Sequence, residues 1–320
     1  MTTPNVLKKT RKTIILASPR GFCAGVDRAI KIVEVALEKF GRPVYVRHEI
    51  VHNKRVVNDL AAKGAVFVKE LDEVPSGSPV IFSAHGVAKT VHQTAKKLNM
   101  IAIDATCPLV TKVHIEANKH VRQGRHIFLI GHAGHPEVIG TMGQVEASEI
   151  TLIETVEDAF AVQPAEDCDL AFATQTTLSA DETAEIITVL QHRFPEIRGP
   201  KGEDICYATT NRQNAVKAMA KDVDLCLVIG AQNSSNSKRL VETALHAGIA
   251  KAELIADSNM LPYELIDDAA VIGLTAGASA PEILIDEVLT ALAERYQIEV
   301  NTQNFITEKM QFKLPSMLTK

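Results

Sequence analysis

Short apolar runs rich in β-branched residues recur along this chain. Most are followed by a polar or glycine-rich turn and then by apolar residues at helical spacing. The runs fall at 14–17 (IILA), 44–46, 66–68, 80–83, 101–104, 126–130 (HIFLI), 150–153, 170–173, 225–229 (LCLVI), 252–256 and 270–274. After the first run, Val26, Ala29, Ile30, Val33, Leu37 and Phe40 form one helical stripe, and Gly41 ends it. Pro108 and Pro136 stand where helices begin, because a first-turn residue needs no N–H partner. Helices are also predicted over 90–98 and 181–192, before 221 and 246, and over 282–296. The tail carries a strand-like FKL at 312–314. Strands alternating with helices predict an α/β fold with mainly parallel sheets.

The pattern repeats in register. Cys107 to Gly131 and Cys206 to Gly230 are each 24 residues, Cys107 to His135 and Cys206 to Ser234 each 28, and Cys23 to His52 is 29. Glu137 falls opposite Asn236. Each round has a second polar strand end, at His85, at Gln175-Thr176 and at Ser279. The expected architecture is three similar lobes around a pseudo-threefold axis with a central cavity. The first spans 13–104 (Cys23, His52, His85) and the second 105–203 (Cys107, His135, Glu137, Thr176). The third spans 204–291 (Cys206, Ser234 to Asn236, Ser279), and 292–320 is a C-terminal tail. In parallel sheets ligands bind beyond the carboxyl ends of strands, which is where these side chains fall.

Composition narrows the function. Hydrophobic residues are 46% and charged residues 23%, as in an ordinary globular chain. Aromatics are 4% with no Trp and the net charge is −5, which argue against nucleic-acid binding. No run is long enough to span a membrane. The start, through Lys12, is positively charged without an apolar core behind it and reads as a short tail rather than a secretory signal. Five cysteines in 320 residues do not make a disulfide scaffold, so the cytoplasm is expected.

Cys23, Cys107 and Cys206 share one context, a strand end followed by a helix start, where the dipole favours a thiolate. Cys168 and Cys226 sit in or beside apolar runs and read as core. Three thiolates from three lobes suit a cubane cluster with one iron not ligated by protein; the spacing alone also admits a three-Cys zinc site. His52, His85 and His135, with Ser234, Ser235, Asn236 and Ser279, offer imidazole, hydroxyl and amide groups for a phosphate or diphosphate. Any one of these is more often a structural histidine or a helix cap; their repeat-equivalent positions favour the shared role. Glu137 is the single acid of the set and suits proton transfer. No dinucleotide or P-loop fingerprint occurs, so a redox role requires electrons from a partner protein.

Eight motifs go further: PRGFCAGVDRA (19–29), VHN (51–53), SAHGV (83–87), DATCPLVTKVH (104–114), GHAGHPE (131–137), TQTTLS (174–179), DICYATTNRQ (204–213) and NSSNS (233–237). Together they resemble the LytB/IspH family of 4-hydroxy-3-methylbut-2-enyl diphosphate reductases, over residues 13–291. The resemblance implies the last step of the non-mevalonate isoprenoid pathway, a two-electron, two-proton reductive dehydroxylation giving isopentenyl and dimethylallyl diphosphates. It implies a [4Fe–4S] cluster on Cys23, Cys107 and Cys206 with one iron open to substrate. It assigns the diphosphate to His52, His85, His135, Ser234, Ser235, Asn236 and Ser279, proton supply to Glu137, and placement of the substrate hydroxyl to Thr176. Electrons would come from ferredoxin or flavodoxin, to a monomer or weak homodimer. Two other classes compete: a non-catalytic iron–sulfur redox sensor, which needs no diphosphate site, and a Cys/His zinc hydrolase, which would be colourless and oxygen-stable.

Overall fold

A computed structural model describes residues 9–165 and 168–319. The N-terminal tail expected from sequence lies outside the described residues through position 8. The strands are β1 Arg11–Ser18, β2 Val44–Arg47, β3 Ala65–Val68, β4 Pro79–Phe82, β5 Ile101–Asp104, β6 His126–Ile130, β7 Ile150–Ile153, β8 Leu170–Thr174, β9 Leu225–Ile229, β10 Lys251–Ile255, β11 Val271–Ala276 and β12 Gln297–Asn304. The helices are α1 Ala24–Phe40, α2 Lys54–Ala62, α3 Lys89–Lys97, α4 Pro108–Arg122, α5 Pro136–Met142, α6 Val156–Ala161, α7 Ala180–Arg193, α8 Tyr207–Met219, α9 Ser235–His246, α10 Tyr263–Asp268, α11 Glu282–Arg295 and α12 Ser316–Thr319.

The fold is α/β with three sheets, and every strand pair in them is parallel. Two compact units are present. One comprises Met1–Phe22 with Asn211–Lys309, the other Cys23–Thr210 with Met310–Lys320.

The first unit holds the five-stranded sheet β10-β9-β11-β1-β12. β9 is buried at all five positions, as a central parallel strand covered on both faces requires. Strand β1 leads the chain yet pairs with β11 and β12, so it completes the sheet of the last repeat rather than the first, where chain order had put it. The reason is non-local. Ile14 and Leu16 are buried in one core with Leu227, Ile272, Leu274 and Leu292. The tail strand is β12, not 312–314, which carries no strand; pairing along β1 over eight registered positions supplies the backbone partners. Buried Arg212 on α8 donates to the Gly21 carbonyl at 2.7 and 3.0 Å and to the Phe22 carbonyl at 3.1 Å, and pairs with Glu308 at 3.1 Å.

The second unit holds the four-stranded sheet β3-β2-β4-β5 and the three-stranded sheet β7-β6-β8. Short helices not expected from sequence, α2 and α6, fill its crossovers. Both are capped by side chains, Asn53 accepting from Val56 N and Thr155 from Asp158 N, so capping substitutes for length. The two sheets are fastened through loops. The Gln144 amide donates to the Val87 and Gly140 carbonyls at 2.8 and 2.9 Å, and Lys89 N donates to Gly143 O at 3.0 Å.

Candidate functional site

Cys23 and Cys107 are the residues just ahead of α1 and α4, and Cys206 immediately precedes α8. Cys107 comes off β5 as expected. Cys206 does not follow a strand; its N–H donates to the Thr176 carbonyl at 3.0 Å, which seats it beside the loop after β8. All three thiols belong to the second unit; Cys23 and Cys206 act electrostatically on Cys107, and Cys23 acts on Cys206. The helix-start amides pull the Cys107 and Cys206 values down but do not prevail. Burial pushes Cys107 up to about 12 and Cys206 up to about 11, outweighing amide bonds from Leu109 and Val110 and the Thr209 hydroxyl 3.3 Å from the Cys206 sulfur. Such thiols release their protons when metal binds and stay reduced and inert otherwise.

A methyl at Gly25 would lie 2.8 Å from the Cys107 sulfur and 3.7 Å from that of Cys23. The bare glycine therefore keeps open a space that two of the thiols face. Among the described residues no three or more His, Cys, Asp or Glu side chains are arranged to hold a metal ion. Thiols brought to one neighbourhood are ligands for an iron–sulfur cluster or for a single zinc.

His52, His85 and His135 come together in the same unit. The His52 and His85 rings stack at 4.1 Å between centroids, and His135 stands edge-on to them at 5.5 and 5.7 Å. Glu49 lies 3.2 Å from His52 Nδ1 and Ser83 Oγ lies 3.3 Å from His85 Nδ1. Each ring is held below its ordinary pKa, chiefly by burial; His135 falls to about 3, with His52 and His132 adding to the effect. Neutral imidazoles can crowd together in this way; an incoming dianion favours their protonation. The loop carrying His85 turns at Gly86 (φ 84°), where a methyl would lie 2.7 Å from the His114 ring. His114 thus packs under that loop.

Glu137, in the first turn of α5, is buried. Its carboxylate accepts from Thr176 N at 2.6 Å and from the Thr176 hydroxyl at 3.0 Å, and its own N–H donates to His135 Nδ1 at 3.1 Å. Burial raises its pKa to about 7, against the opposing pull of both Thr176 bonds and with help from Asp204. Glu137 also acts electrostatically on Cys206, so the acid and the thiols share one neighbourhood.

The remaining predicted residues lie in the first unit, beyond the ends of the adjacent strands β9 and β11. Ser234 caps α9, accepting from Ser237 N at 3.3 Å and from Ser237 Oγ at 3.0 Å. Asn236 is buried, and neither of its amide atoms has a hydrogen-bond partner. Such a group normally answers to a ligand or water. Gly277, two residues before Ser279, packs against this turn: a methyl there would lie 2.1 Å from the Ser237 hydroxyl and 3.4 Å from the Asn236 amide nitrogen. Ser235 and Ser279 are buried in the same two loops. Sequence reasoning passed over Gly25, Ser237 and Asp204. Asp204 accepts from Thr174 N at 3.1 Å and faces Lys112 at 3.4 Å. Only its place within the 204–213 motif marked it.

Known proteins resemble this chain over nearly its whole length. A family model described as LytB protein matches residues 14–293. A 4-hydroxy-3-methylbut-2-enyl diphosphate reductase of Paracoccus denitrificans is 58% identical over 311 residues, covering 97% of this chain and 98% of the relative. A reductase of the same name from Hyphomonas neptunium is 59% identical over 306 residues, covering 96% and 97%. Among solved structures, the E-1-hydroxy-2-methyl-but-2-enyl-4-diphosphate reductase of Plasmodium falciparum aligns with a TM-score of 0.90 at 36% identity, over 98% of both chains. With the family model and close relatives in agreement across the segments that carry the thiols, the imidazoles and Glu137, this chain belongs to the LytB family.

Proposed function

We propose that this chain reduces (E)-4-hydroxy-3-methylbut-2-enyl diphosphate to isopentenyl and dimethylallyl diphosphates, the closing step of the non-mevalonate route to isoprenoid precursors. Two electrons and two protons enter. The allylic C–O bond breaks, the hydroxyl leaves as water, and one C–H bond forms at either end of the allyl fragment. The observation that carries the reading is a buried carboxyl, bonded to Thr176, that acts electrostatically on Cys206, which with Cys23 acts on Cys107.

Cys23, Cys107 and Cys206 would hold a [4Fe–4S] cluster with one iron not ligated by protein. When bound, the cluster supplies electrons and Lewis acidity toward the substrate hydroxyl. Glu137 delivers the proton that lets the hydroxyl leave as water, and Thr176, already bonded to Glu137, orients that oxygen. His52, His85 and His135 hold diphosphate oxygens, gaining protons as the anion arrives. Ser234, Ser235, Asn236 and Ser279 serve the same group on their own chemistry: hydroxyl and amide donors, with the Asn236 amide unsatisfied. Electrons come from a ferredoxin or flavodoxin, and the protein works as a monomer or weak homodimer in the cytoplasm. No disulfide joins the cysteines among the described residues, as in a reducing compartment, and no helix among those residues is long and apolar enough to cross a membrane. Of the competing readings, a sensor leaves the histidine cluster unused, and a zinc hydrolase would be colourless and oxygen-stable.

Anaerobically purified protein is expected to be brown, to carry iron and sulfide, and to consume the substrate with a dithionite-reduced mediator. A colourless protein, or a brown one that leaves the substrate untouched, overturns the proposal.

A further inference from the structure

Arg28 lies on α1, five residues after Cys23, and belongs to neither the thiol nor the diphosphate set. Its guanidinium joins three pieces of the second unit. One terminal nitrogen donates to the carbonyls of Ala105 and Thr106, at 3.3 and 3.0 Å, the two residues that lead into Cys107. The Nε donates to the carbonyl of Lys313 in the chain's last segment, at 2.8 Å. At the far end of α1, Lys39 Nζ donates to the Met317 carbonyl at 2.7 Å, and Leu318 is buried. Residues 313–318 are therefore fastened along α1 by two cationic side chains that grip backbone carbonyls. The cationic group also faces Asp104 and Cys107 electrostatically.

We infer that Arg28 is a positioning residue for Cys107, and that the C-terminal segment is the strap holding Arg28 in place. The planar fork can meet two successive carbonyls and one on a different segment at once, which a lysine ammonium cannot reproduce with the same geometry. Fixing the 105–106 peptides fixes where the Cys107 Cα–Cβ bond points. The Thr106 N–H and hydroxyl, both bonded to Asp104, hold the same loop from the other side. The two cationic side chains grip the strap by its main chain, and the buried Leu318 side chain anchors its end. The guanidinium charge beside Cys107 also offsets the negative charge that three thiolates bring to a cluster.

The inference rests on the proposed cluster site, so its test includes readouts that need no cluster. Full-length Arg28→Gln and Arg28→Lys are compared with wild type in three measurements. In metal-free protein, the rate of Cys107 labelling by a thiol reagent is followed by mass spectrometry. Tryptic cleavage after the exposed Lys313 is timed in the same samples. In reconstituted protein, cluster loss to a chelator is followed by absorbance, and the midpoint potential is measured. Arg28→Gln is expected to speed both Cys107 labelling and Lys313 cleavage severalfold, to shorten cluster lifetime about 10- to 100-fold, and to shift the potential negative. Arg28→Lys, the fallback should the Gln variant not fold, is expected to keep the potential near wild type while still speeding labelling and cleavage. Wild-type labelling and cleavage rates in a folded variant overturn the inference, whatever the cluster does. Faster labelling and cleavage in a protein that never takes up iron would uphold the clamp and refute the cluster assignment instead.

Discussion

The Glu137 carboxyl is held by two hydrogen bonds that favour its anion, from the Thr176 N–H and hydroxyl, yet burial leaves it near half-protonated at neutral pH. Desolvation outweighs both bonds, and the nearby Asp204 adds to it. Two outcomes follow at this scale. Turnover should fall about tenfold per pH unit above pH 7, as the acid form is lost. Glu137→Gln should lose about 10²- to 10⁴-fold in kcat while keeping iron content and substrate binding; near-wild-type turnover would end the proton-donor role. The sign for stability is also determined. The folded carboxyl keeps its proton between its ordinary value of 4.5 and about 7, where the unfolded one has lost it, so this group destabilises the fold as pH rises through that window. Glu137→Gln should therefore unfold at higher denaturant than wild type at pH 8, with no such gain at pH 4. The three histidines run the opposite way. Their depressed pKa values mean that binding an anion takes up protons. Calorimetry with inorganic pyrophosphate near pH 7, in two buffers of different ionisation enthalpy, should report proton uptake. Its absence would remove the imidazoles from anion binding.

At the scale of elements, helix starts do most of the positioning. Cys23, Cys107 and His135 all directly precede helices, and two of those helices open on proline. These starts were legible because Pro, Gly and capping residues act within a turn of themselves. Gly25 was not legible: its importance lies in a sulfur more than eighty positions away along the chain. Gly25→Ala separates packing from helix formation. Alanine is a better helix former than glycine, so α1 itself should form as before. The added methyl, 2.8 Å from the Cys107 sulfur, should displace that thiol and lower iron and sulfide content. Retention of a full cluster would show that the space at Gly25 is not needed.

At the scale of the whole molecule, long-range ties decide the architecture. Arg212 is fully buried and supplies donors to two carbonyls and to the Glu308 carboxylate, whose side chain is 14% exposed. Arg212→Met removes those donors together and leaves the nearly buried carboxylate without its guanidinium partner, held by the Asn211 amide at 3.0 Å. A loss of about 3 kcal/mol is expected from urea unfolding. A loss below about 1 kcal/mol, the value of an exposed pair, would mean that Glu308 reaches water freely.

The sequence by itself determined the α/β class, the strand–helix order, the proline-begun helices, the thiol, imidazole and acid candidates, and the family. These rest on periodicities of a few residues and on motifs whose members stand side by side. Only the tertiary structure decided that β1 completes the last sheet, that the tail strand is β12, that Cys206 hangs on Thr176 O rather than on a strand, and that burial raises the thiols' pKa values. Only it joined Arg28 to Lys313, 285 positions away. Solvation and pairing of this kind depend on which distant segments exclude water around a group, and local spacing carries no record of that.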